Sequence, residues 1–261
     1  MKIKYFFVVL ILIYNICNIG ELSAQVMMPG EKLTYSVSYL GVPLGQINVY
    51  VDSNEELNGN RVFKVRGVMN SNPNIPFVEL AAKYESWIDP SVAYSHQFIG
   101  RVKLDDGSWD YHQIDFDYAK KKVRSKKIIN KETHWDYSYN TDKKYNDGMS
   151  LFFLARKYTK MKKAIRIPTI VDRDTTFTII NFQNKPVDIK IKAIDYKVKT
   201  LYFNGKMEWT GIYGLSGEFE GWFSNDDASI PIRAKMKVYL GSIEIELIDW
   251  TRKNWTAPKA D

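Results

Sequence analysis

Apolar and polar residues alternate with a period of two along most of this chain. In residues 33–39, Leu33, Tyr35 and Val37 alternate with hydroxyl-bearing residues, and residues 47–51 alternate in the same way. Successive side chains of a β-strand point to opposite faces, so this pattern is typical of strands with one buried face. Antiparallel sheets can leave the other face in water. The alternation therefore predicts an all-β, mainly antiparallel fold.

Turn signals separate these runs at short intervals. Asn58-Gly59, Asp106-Gly107 and Asn204-Gly205 are dipeptides that favour tight turns. Many short strands joined by such turns predict a curved sheet, either a half-barrel or a barrel-like domain. The further alternating runs are residues 98–104, 109–116, 122–129, 135–139, 175–182, 187–193, 197–203, 218–223, 232–239 and 242–248.

Two segments break the alternation. Residues 147–158 (DGMSLFFLARKY) place apolar residues at helical spacing, with Asp147 or Ser150 available as the N-terminal cap. We predict one main helix near 147–158 that packs across a sheet face or closes one end of a barrel. Residues 71–82 contain two prolines and predict a loop or a single helical turn. The tail, residues 256–261, is expected to be frayed.

The first residues, 1–24, have the pattern of a secretory signal peptide. Two lysines precede a short apolar run, and small residues lead to Ala24, so cleavage is expected between Ala24 and Gln25. The run is too short to cross a bilayer comfortably, so an integral membrane protein is not expected, although an uncleaved anchor is the alternative. Residues 25–261 are predicted to form a single exported β-rich domain that is periplasmic, outer-membrane-associated or secreted.

Cysteine content and charge exclude several classes of function. The only cysteine, Cys17, lies inside the predicted signal peptide, which excludes disulfide bonds and cysteine chemistry from the exported chain. The net charge is +7, and much of the excess lies in residues 120–131 and 156–166. Outside the cytoplasm, a basic protein attracts anionic lipids and acidic glycans, and we predict no nucleic-acid partner.

The sequence contains few candidate residues for catalysis or metal binding. His96, His112 and His134 lack the helical spacing to a second ligand that zinc sites need, and surface or half-buried positions are expected for them. Residues 214–218 (GLSGE) lack the last glycine of the hydrolase nucleophile elbow. We therefore predict no enzyme activity, no catalytic residues, no metal and no cofactor.

Aromatic residues are the remaining candidates for function. The chain has seven tryptophans and seventeen tyrosines, more than a small core needs. They either form the core and girdle of a large sheet or line a concave face that binds an acyl chain or a glycan. The candidate ligand-binding residues, which would have to share one inward-facing cavity, are Tyr35, Val37, Trp109, Tyr111 and Trp222.

Three groups of short motifs resemble the bacterial domain of unknown function 3108. They cover nearly the whole exported chain, and their order and spacing carry the resemblance more than any single motif. This resemblance implies export and a mostly antiparallel, curved sheet. It implies no established activity and no catalytic residues. The motifs are residues 29–35 (PGEKLTY) with 41–45 (GVPLG), 147–156 (DGMSLFFLAR), and 221–226 (GWFSND) with 230–232 (IPI) and 239–242 (YLGS).

Three functions are compatible with the sequence. The first is a non-catalytic envelope protein that binds a hydrophobic or amphiphilic, lipid-like ligand. The second is an interaction or assembly protein that docks to an envelope protein or an anionic surface through a basic face. The third is an unrecognised hydrolase, for which the chain offers few catalytic groups. An apolar cavity would favour the first function, whereas a filled core with an exposed patch would favour the second.

Overall fold

A computed structural model describes residues 26–75, 79–210, 216–238 and 240–261. The predicted signal peptide and its cleavage point between Ala24 and Gln25 lie outside the described residues. No helix in the described ranges is long and apolar enough to cross a membrane.

Within the described ranges, fourteen strands form a single antiparallel sheet. The strands are β1 (Lys32–Tyr39), β2 (Val42–Leu57), β3 (Asn60–Ser71), β4 (Ala81–Ile88), β5 (Ser95–Lys103), β6 (Trp109–Asp117), β7 (Lys122–Ile129), β8 (Glu132–Asn140), β9 (Lys163–Val171), β10 (Asp174–Pro186), β11 (Thr200–Thr210), β12 (Ser216–Ser224), β13 (Pro231–Lys237) and β14 (Ser242–Thr251). Their order across the sheet is β8-β7-β6-β5-β4-β3-β2-β1-β14-β13-β12-β11-β10-β9. Two meanders therefore lie side by side and join where β1 pairs with β14.

The sheet is curved, as predicted, and it is not closed, a point that the sequence left open. Its edges are β8 and β9, yet the Ser125 hydroxyl on β7 donates to the backbone oxygen of Asp172, just after β9, at 2.8 Å. Only strong curvature brings these two parts of the sheet together. Register shifts, such as the one between Val51 and Ser53, bend individual strands and increase the twist.

The predicted helix is confirmed as α1 (Gly148–Lys157), which links the two edges of the sheet. The Asp147 carboxylate accepts hydrogen bonds from the backbone N–H groups of Met149 and Ser150, at 2.7 and 2.9 Å. The Ser150 hydroxyl accepts from the Asp147 N–H at 2.9 Å, so both predicted capping residues take part in a capping box. We call the sheet face that carries α1 the inner face.

Packing of α1 against the inner face forms the main hydrophobic core. Gly67 on β3 allows close approach, because a Cβ there would lie 2.8 Å from the Met149 sulfur. A smaller cluster closes the seam between β6, β7 and β9. The helix thus fills one end of the curved sheet. Its most buried neighbours in the core include Leu33, Tyr35, Val49, Val51, Phe63, Val65 and Phe182.

Several local predictions are wrong. The Asn204-Gly205 pair forms no turn but lies inside β11. Strands β4 and β9 lie outside the predicted runs, and in β9 Pro168 and four basic residues near its start disguise the alternation. The tail is not frayed: the Lys199 N–H donates to the Pro258 oxygen and the Ala260 N–H to the Lys197 oxygen, both at 2.8 Å. These backbone hydrogen bonds connect the last residues to the segment before β11. A contact between such distant parts of the chain leaves no local sequence pattern.

Candidate functional site

The five predicted ligand-binding residues do not share one site. Tyr35 and Val37 lie on the inner face, where Tyr35 is only 3% exposed and its ring meets Phe152 of α1 edge-on at 6.3 Å. On β6, Trp109 and Tyr111 alternate with the buried inner-face residues, which places both on the opposite, outer face. The helix therefore covers the first pair, and the second pair faces away from it.

Trp222 also lies on the outer face, because it follows Gly221 and precedes Phe223, which pack inward against Phe203. Its ring lies 5.7 Å from that of Tyr202. The five residues therefore do not line a single inward-facing cavity.

Two of the three histidines are buried against aspartates. His96 is 9% exposed, and its Nε2 lies 3.3 Å from a carboxylate oxygen of Asp89. His112 is 8% exposed, and its Nδ1 lies 3.4 Å from a carboxylate oxygen of Asp172. The expectation of surface or half-buried histidines is wrong for these two and holds for His134, which is exposed. Sequence spacing could not reveal pairs that only the folded chain brings together.

His112, Ser125 and Asp172 resemble a catalytic triad in composition. They connect β6 and β7 to the turn after β9, and we call these three residues the latch. The His112 Nε2 lies 2.9 Å from the Ser125 hydroxyl oxygen. That hydroxyl donates its hydrogen to the Asp172 backbone oxygen and accepts the Trp135 indole N–H at 3.1 Å. The His112 ring, the Trp135 indole and the Asp172 carbonyl together occupy the one donor and two acceptor positions of this hydroxyl. These contacts hold β6 and β7 to the turn after β9.

This latch makes stability depend on pH. Burial lowers the pKa of the His112 imidazole from its usual value of 6.5. The unfolded chain therefore takes up the proton first, and the folded state loses stability as the pH falls through that value. We expect His112→Gln to reduce the loss of unfolding free energy between about pH 7.5 and about pH 5.5, measured by denaturant titration. His134→Gln, at the exposed histidine, should leave the loss unchanged, and equal slopes for all three proteins would contradict the latch.

A buried charge cluster closes the end of the sheet that α1 fills. The Arg156 guanidinium donates to both carboxylate oxygens of Glu31, at 2.6 and 3.0 Å, and neither side chain is more than 1% exposed. Arg156 also donates to the Ala228 carbonyl at 3.0 Å. Arg252, beyond β14, donates to the same Glu31 carboxylate. Burial lowers the pKa of Arg252, and the Glu31 charge opposes that effect.

Asp226 completes this cluster from the loop between β12 and β13. Its carboxylate accepts the Trp255 indole N–H at 2.8 Å and the Ser224 hydroxyl at 2.9 Å. The three motif groups of the sequence thus meet here, through Glu31 of the first, Arg156 of the second and Asp226 of the third. The cluster joins four parts of the chain, and its central ion pair, Arg156 with Glu31, is buried from solvent.

Ion pairs partly offset the charge of the basic stretch 120–131. Four of its seven basic residues pair with aspartates, which reduces the net positive charge of this surface. Docking through a basic face stays a prediction. The pairs are Lys120 with Asp117 at 2.9 Å, Lys121 with Asp142 at 2.7 Å, Arg124 with Asp136 at 2.5 Å and Lys127 with Asp110 at 2.8 Å.

Residues 187–199, which connect β10 to β11, form a strap rather than the strand predicted at 187–193. Ile189 and Val198 pair across it, and the N–H of each donates to the carbonyl oxygen of the other, at 3.1 and 2.8 Å. A second isolated bridge pairs Val198 with Lys259 of the C-terminal segment. The apolar residues at 187–193 bury side chains without forming a strand: Ile191 is 1% exposed and packs into the core.

Side chains of two strands hold the strap over the sheet. Arg233 on β13 donates to the Lys190 carbonyl at 2.7 Å. Glu246 on β14 accepts the Lys192 N–H at 3.0 Å and the Nε–H of Arg233 at 2.9 Å. Both side chains alternate with buried residues along their strands, which places the strap on the outer face.

An open groove of about 720 Å³ lies between the strap, the C-terminal segment and strands β13 and β14. Lys190 and Lys192 lie at its mouth, and neither amino group forms an ion pair with another described residue. Asp195 is also exposed there. A second groove of about 590 Å³ on the outer face of β10 to β13 has a mainly polar and charged lining. The apolar residues of the first groove are Ile191, Ala193, Ile194, Tyr196, Trp250 and Ala257.

These features define a class of protein: a β-barrel-like domain built from one open antiparallel sheet, with a helix and a buried ion cluster closing one end. The chain belongs to the protein family of unknown function DUF3108, whose family model matches residues 34–248. The resemblance drawn from the motifs is thereby confirmed. A search of curated proteins gave no match.

One solved structure shares this architecture, and a second aligns over most of the chain. A Brucella abortus β-barrel-like protein of the domain of unknown function DUF1849 is similar over 86% of this chain and 98% of its own, with a TM-score of 0.55 and 8% identity. A Bacteroides fragilis protein with a YmcC-like fold, suggested to be exported, aligns over 87% of this chain and 98% of its own at 8% identity. Its TM-score of 0.33 is too low to compare folds. At these identities, the first likeness concerns the fold alone.

Proposed function

We propose that this protein is a non-catalytic, exported binding protein that holds a lipid-like amphiphile in the groove beside the strap. The observation that carries this proposal is the groove itself, with its apolar floor and its two unpaired lysines at the mouth. Export is supported by the signal-peptide pattern of residues 1–24. The Ser125 hydroxyl bonds the His112 ring, the Trp135 indole and the Asp172 carbonyl, and this full set of partners supports a structural, non-catalytic role.

The size and lining of the groove suit an acyl chain. Its volume of about 720 Å³ lies within the range of roughly 300–1,000 Å³ that is usual for small-molecule sites. Each methylene group buried against an apolar surface contributes about 0.8 kcal/mol. The rings of Tyr196 and Trp250 offer the broad apolar surface that a flexible chain needs.

The mouth of the groove favours an anionic head group. Arg233 is already paired with Glu246, so it has little free charge for a ligand. Lys190 and Lys192 remain available beside the exposed carboxylate of Asp195, while Glu244 in the same lining pairs with Lys235 at 3.6 Å. Charge-assisted hydrogen bonds from the two amino groups would then fix the head group at the rim while the chain lies on the floor.

Native mass spectrometry with lipid extraction, on the protein purified from a bacterial envelope, tests this proposal. We expect a bound amphiphile near one per protein in the wild type. Ala193→Trp should remove it, because an indole on this exposed residue fills the groove. Tyr137→Trp, on edge strand β8 and outside the groove, is the matched control and should keep the ligand.

Two outcomes would contradict the proposal. One is a wild-type protein that carries no ligand and takes up no added anionic amphiphile. The other is a ligand that stays bound when Ala193→Trp fills the groove, which would place it elsewhere. Lys190→Glu combined with Lys192→Glu separates the contributions: the anionic ligand should bind more weakly by about tenfold or more, while the fold is unaffected.

A further inference from the structure

Two neighbouring hairpin tips expose apolar side chains. The tip between β1 and β2 carries Leu40 and Val42, which are 69% and 46% exposed, and the tip between β13 and β14 carries Leu240, which is 69% exposed. These tips are adjacent because β1 pairs with β14. The Tyr39 hydroxyl, which donates to the Leu240 carbonyl at 2.6 Å, connects them directly.

Three other described hairpin tips at this end of the sheet are polar. Residues 105–108 (DDGS), 130–131 (NK) and 172–173 (DR) form the turns after β5, β7 and β9. Strands alternate in direction through each meander, so these turns lie at the same end as the two apolar tips. The connection between β3 and β4 also lies at this end, and its described apolar residues, Ile75 and Leu80, are half-buried. The apolar tips are therefore a local feature rather than a property of all turns in this protein.

Leu40 is unfavourable in the isolated protein for two reasons. It has φ +48° and is followed by Gly41 at φ +83°, a two-residue turn in which asparagine is strongly preferred at the first position. The same chain uses the preferred Asn58-Gly59 pair, with φ +50° and +76°, in the turn between β2 and β3. A bulky side chain at positive φ costs free energy, and an exposed leucine recovers none of it by burial. Burial by a binding partner would recover it.

The shape of this region and the positive net charge of the whole chain favour a lipid surface as the partner. Three side chains on two narrow, protruding turns supply only part of the roughly 1,200 Å² that stable protein–protein interfaces bury. A bilayer needs no complementary pocket, and apolar insertion adds to electrostatic attraction. The net charge of +7 favours a surface of anionic headgroups.

We propose that the two tips insert Leu40, Val42 and Leu240 into the surface of an anionic lipid bilayer. This docking does not require a ligand in the groove. It would hold this end of the sheet at the membrane while the charge cluster and α1 close the opposite end.

Vesicle flotation tests this proposal with pure phosphatidylcholine and with phosphatidylcholine mixed with phosphatidylglycerol. The full chain, as the cell processes it, should float with the mixed vesicles. Leu40→Asn combined with Leu240→Ser should lower the partition coefficient by at least about tenfold, since two apolar side chains are lost from the bilayer. Tyr137→Ser, which removes another exposed aromatic residue on β8, should leave the coefficient unchanged.

Stability measurements separate docking from folding. Leu40→Asn should unfold at the same or a higher temperature than the wild type, because asparagine suits this turn. A less stable Leu40→Asn protein, or wild-type protein that ignores mixed vesicles, would overturn the proposal. So would equal vesicle binding by the double variant. Sedimentation without vesicles that shows a dimer, lost in the double variant, would overturn it in favour of a second copy of this chain.

Discussion

Replacing Glu31 with glutamine should lower the free energy of unfolding by about 3–5 kcal/mol, since one partner of a buried ion pair is neutralised. The Glu31 carboxylate accepts from both Arg156 and Arg252, and the Arg156 and Glu31 side chains are 0% and 1% exposed. Glutamine keeps the shape of the side chain but leaves two buried guanidinium groups without their shared anion. Their charges would then repel each other where little water can screen them.

The same substitution at the surface provides the control. Glu208 pairs with Arg166 at 3.1 Å, and the two side chains are 36% and 53% exposed. Glu208→Gln should cost no more than about 1 kcal/mol, because water already solvates both groups. Denaturant titration of the two variants measures the difference. Similar small losses for both would mean that the cluster is not what holds the closed end together.

The fold class can be predicted from local sequence patterns. Alternation at residues 33–39 and the Asn58-Gly59 turn predict antiparallel strands, and the structure contains them. The helix is predicted within about a residue at each end, because Asp147 and the apolar spacing after it act locally. Curvature is also foreseeable, since a long twisted antiparallel sheet with many bulges coils upon itself.

What the sequence could not reveal depends on contacts between distant residues. The strap at 187–193 alternates like a strand, but Arg233 and Glu246 hold it outside the sheet. His112 meets Asp172 only because the sheet curls until β6 and β7 reach the turn after β9. No local pattern encodes either contact, so both are invisible to arguments based on periodicity or motif spacing.

The candidate site illustrates the same distinction. Tyr35 and Trp109 both fall on correctly predicted strands, yet they face opposite sides of the sheet. The alternation assigns residues to alternating faces within one strand, but it does not say which face of one strand matches which face of another. Register and curvature decide that, and they also create the groove from a segment that resembled an ordinary strand. Glu31, Arg156 and Asp226 were visible as motif residues, but not as one cluster.

Asp147→Ala should lower the free energy of unfolding by about 3–5 kcal/mol through loss of the cap and burial of unpaired groups. The carboxylate accepts the N–H groups of Met149 and Ser150, and it also accepts the Ser86 hydroxyl of β4 at 2.7 Å. Alanine would leave these donors buried without acceptors and would detach the start of α1 from the sheet. Denaturant titration near neutral pH provides the measurement.

Asp147→Asn should cost no more than about 1 kcal/mol, because its amide oxygen still caps the helix and its amide N–H can donate to the Ser86 hydroxyl. Burial raises the pKa of Asp147 above its usual 3.8, so the folded protein binds this proton more readily than the unfolded chain. The ionised carboxylate therefore reduces stability as the pH rises above that value. The wild type should gain stability relative to Asp147→Asn as the pH falls towards 3.8. If asparagine destabilises the protein as much as alanine at neutral pH, the negative charge itself, rather than the hydrogen-bond acceptors, holds the start of α1.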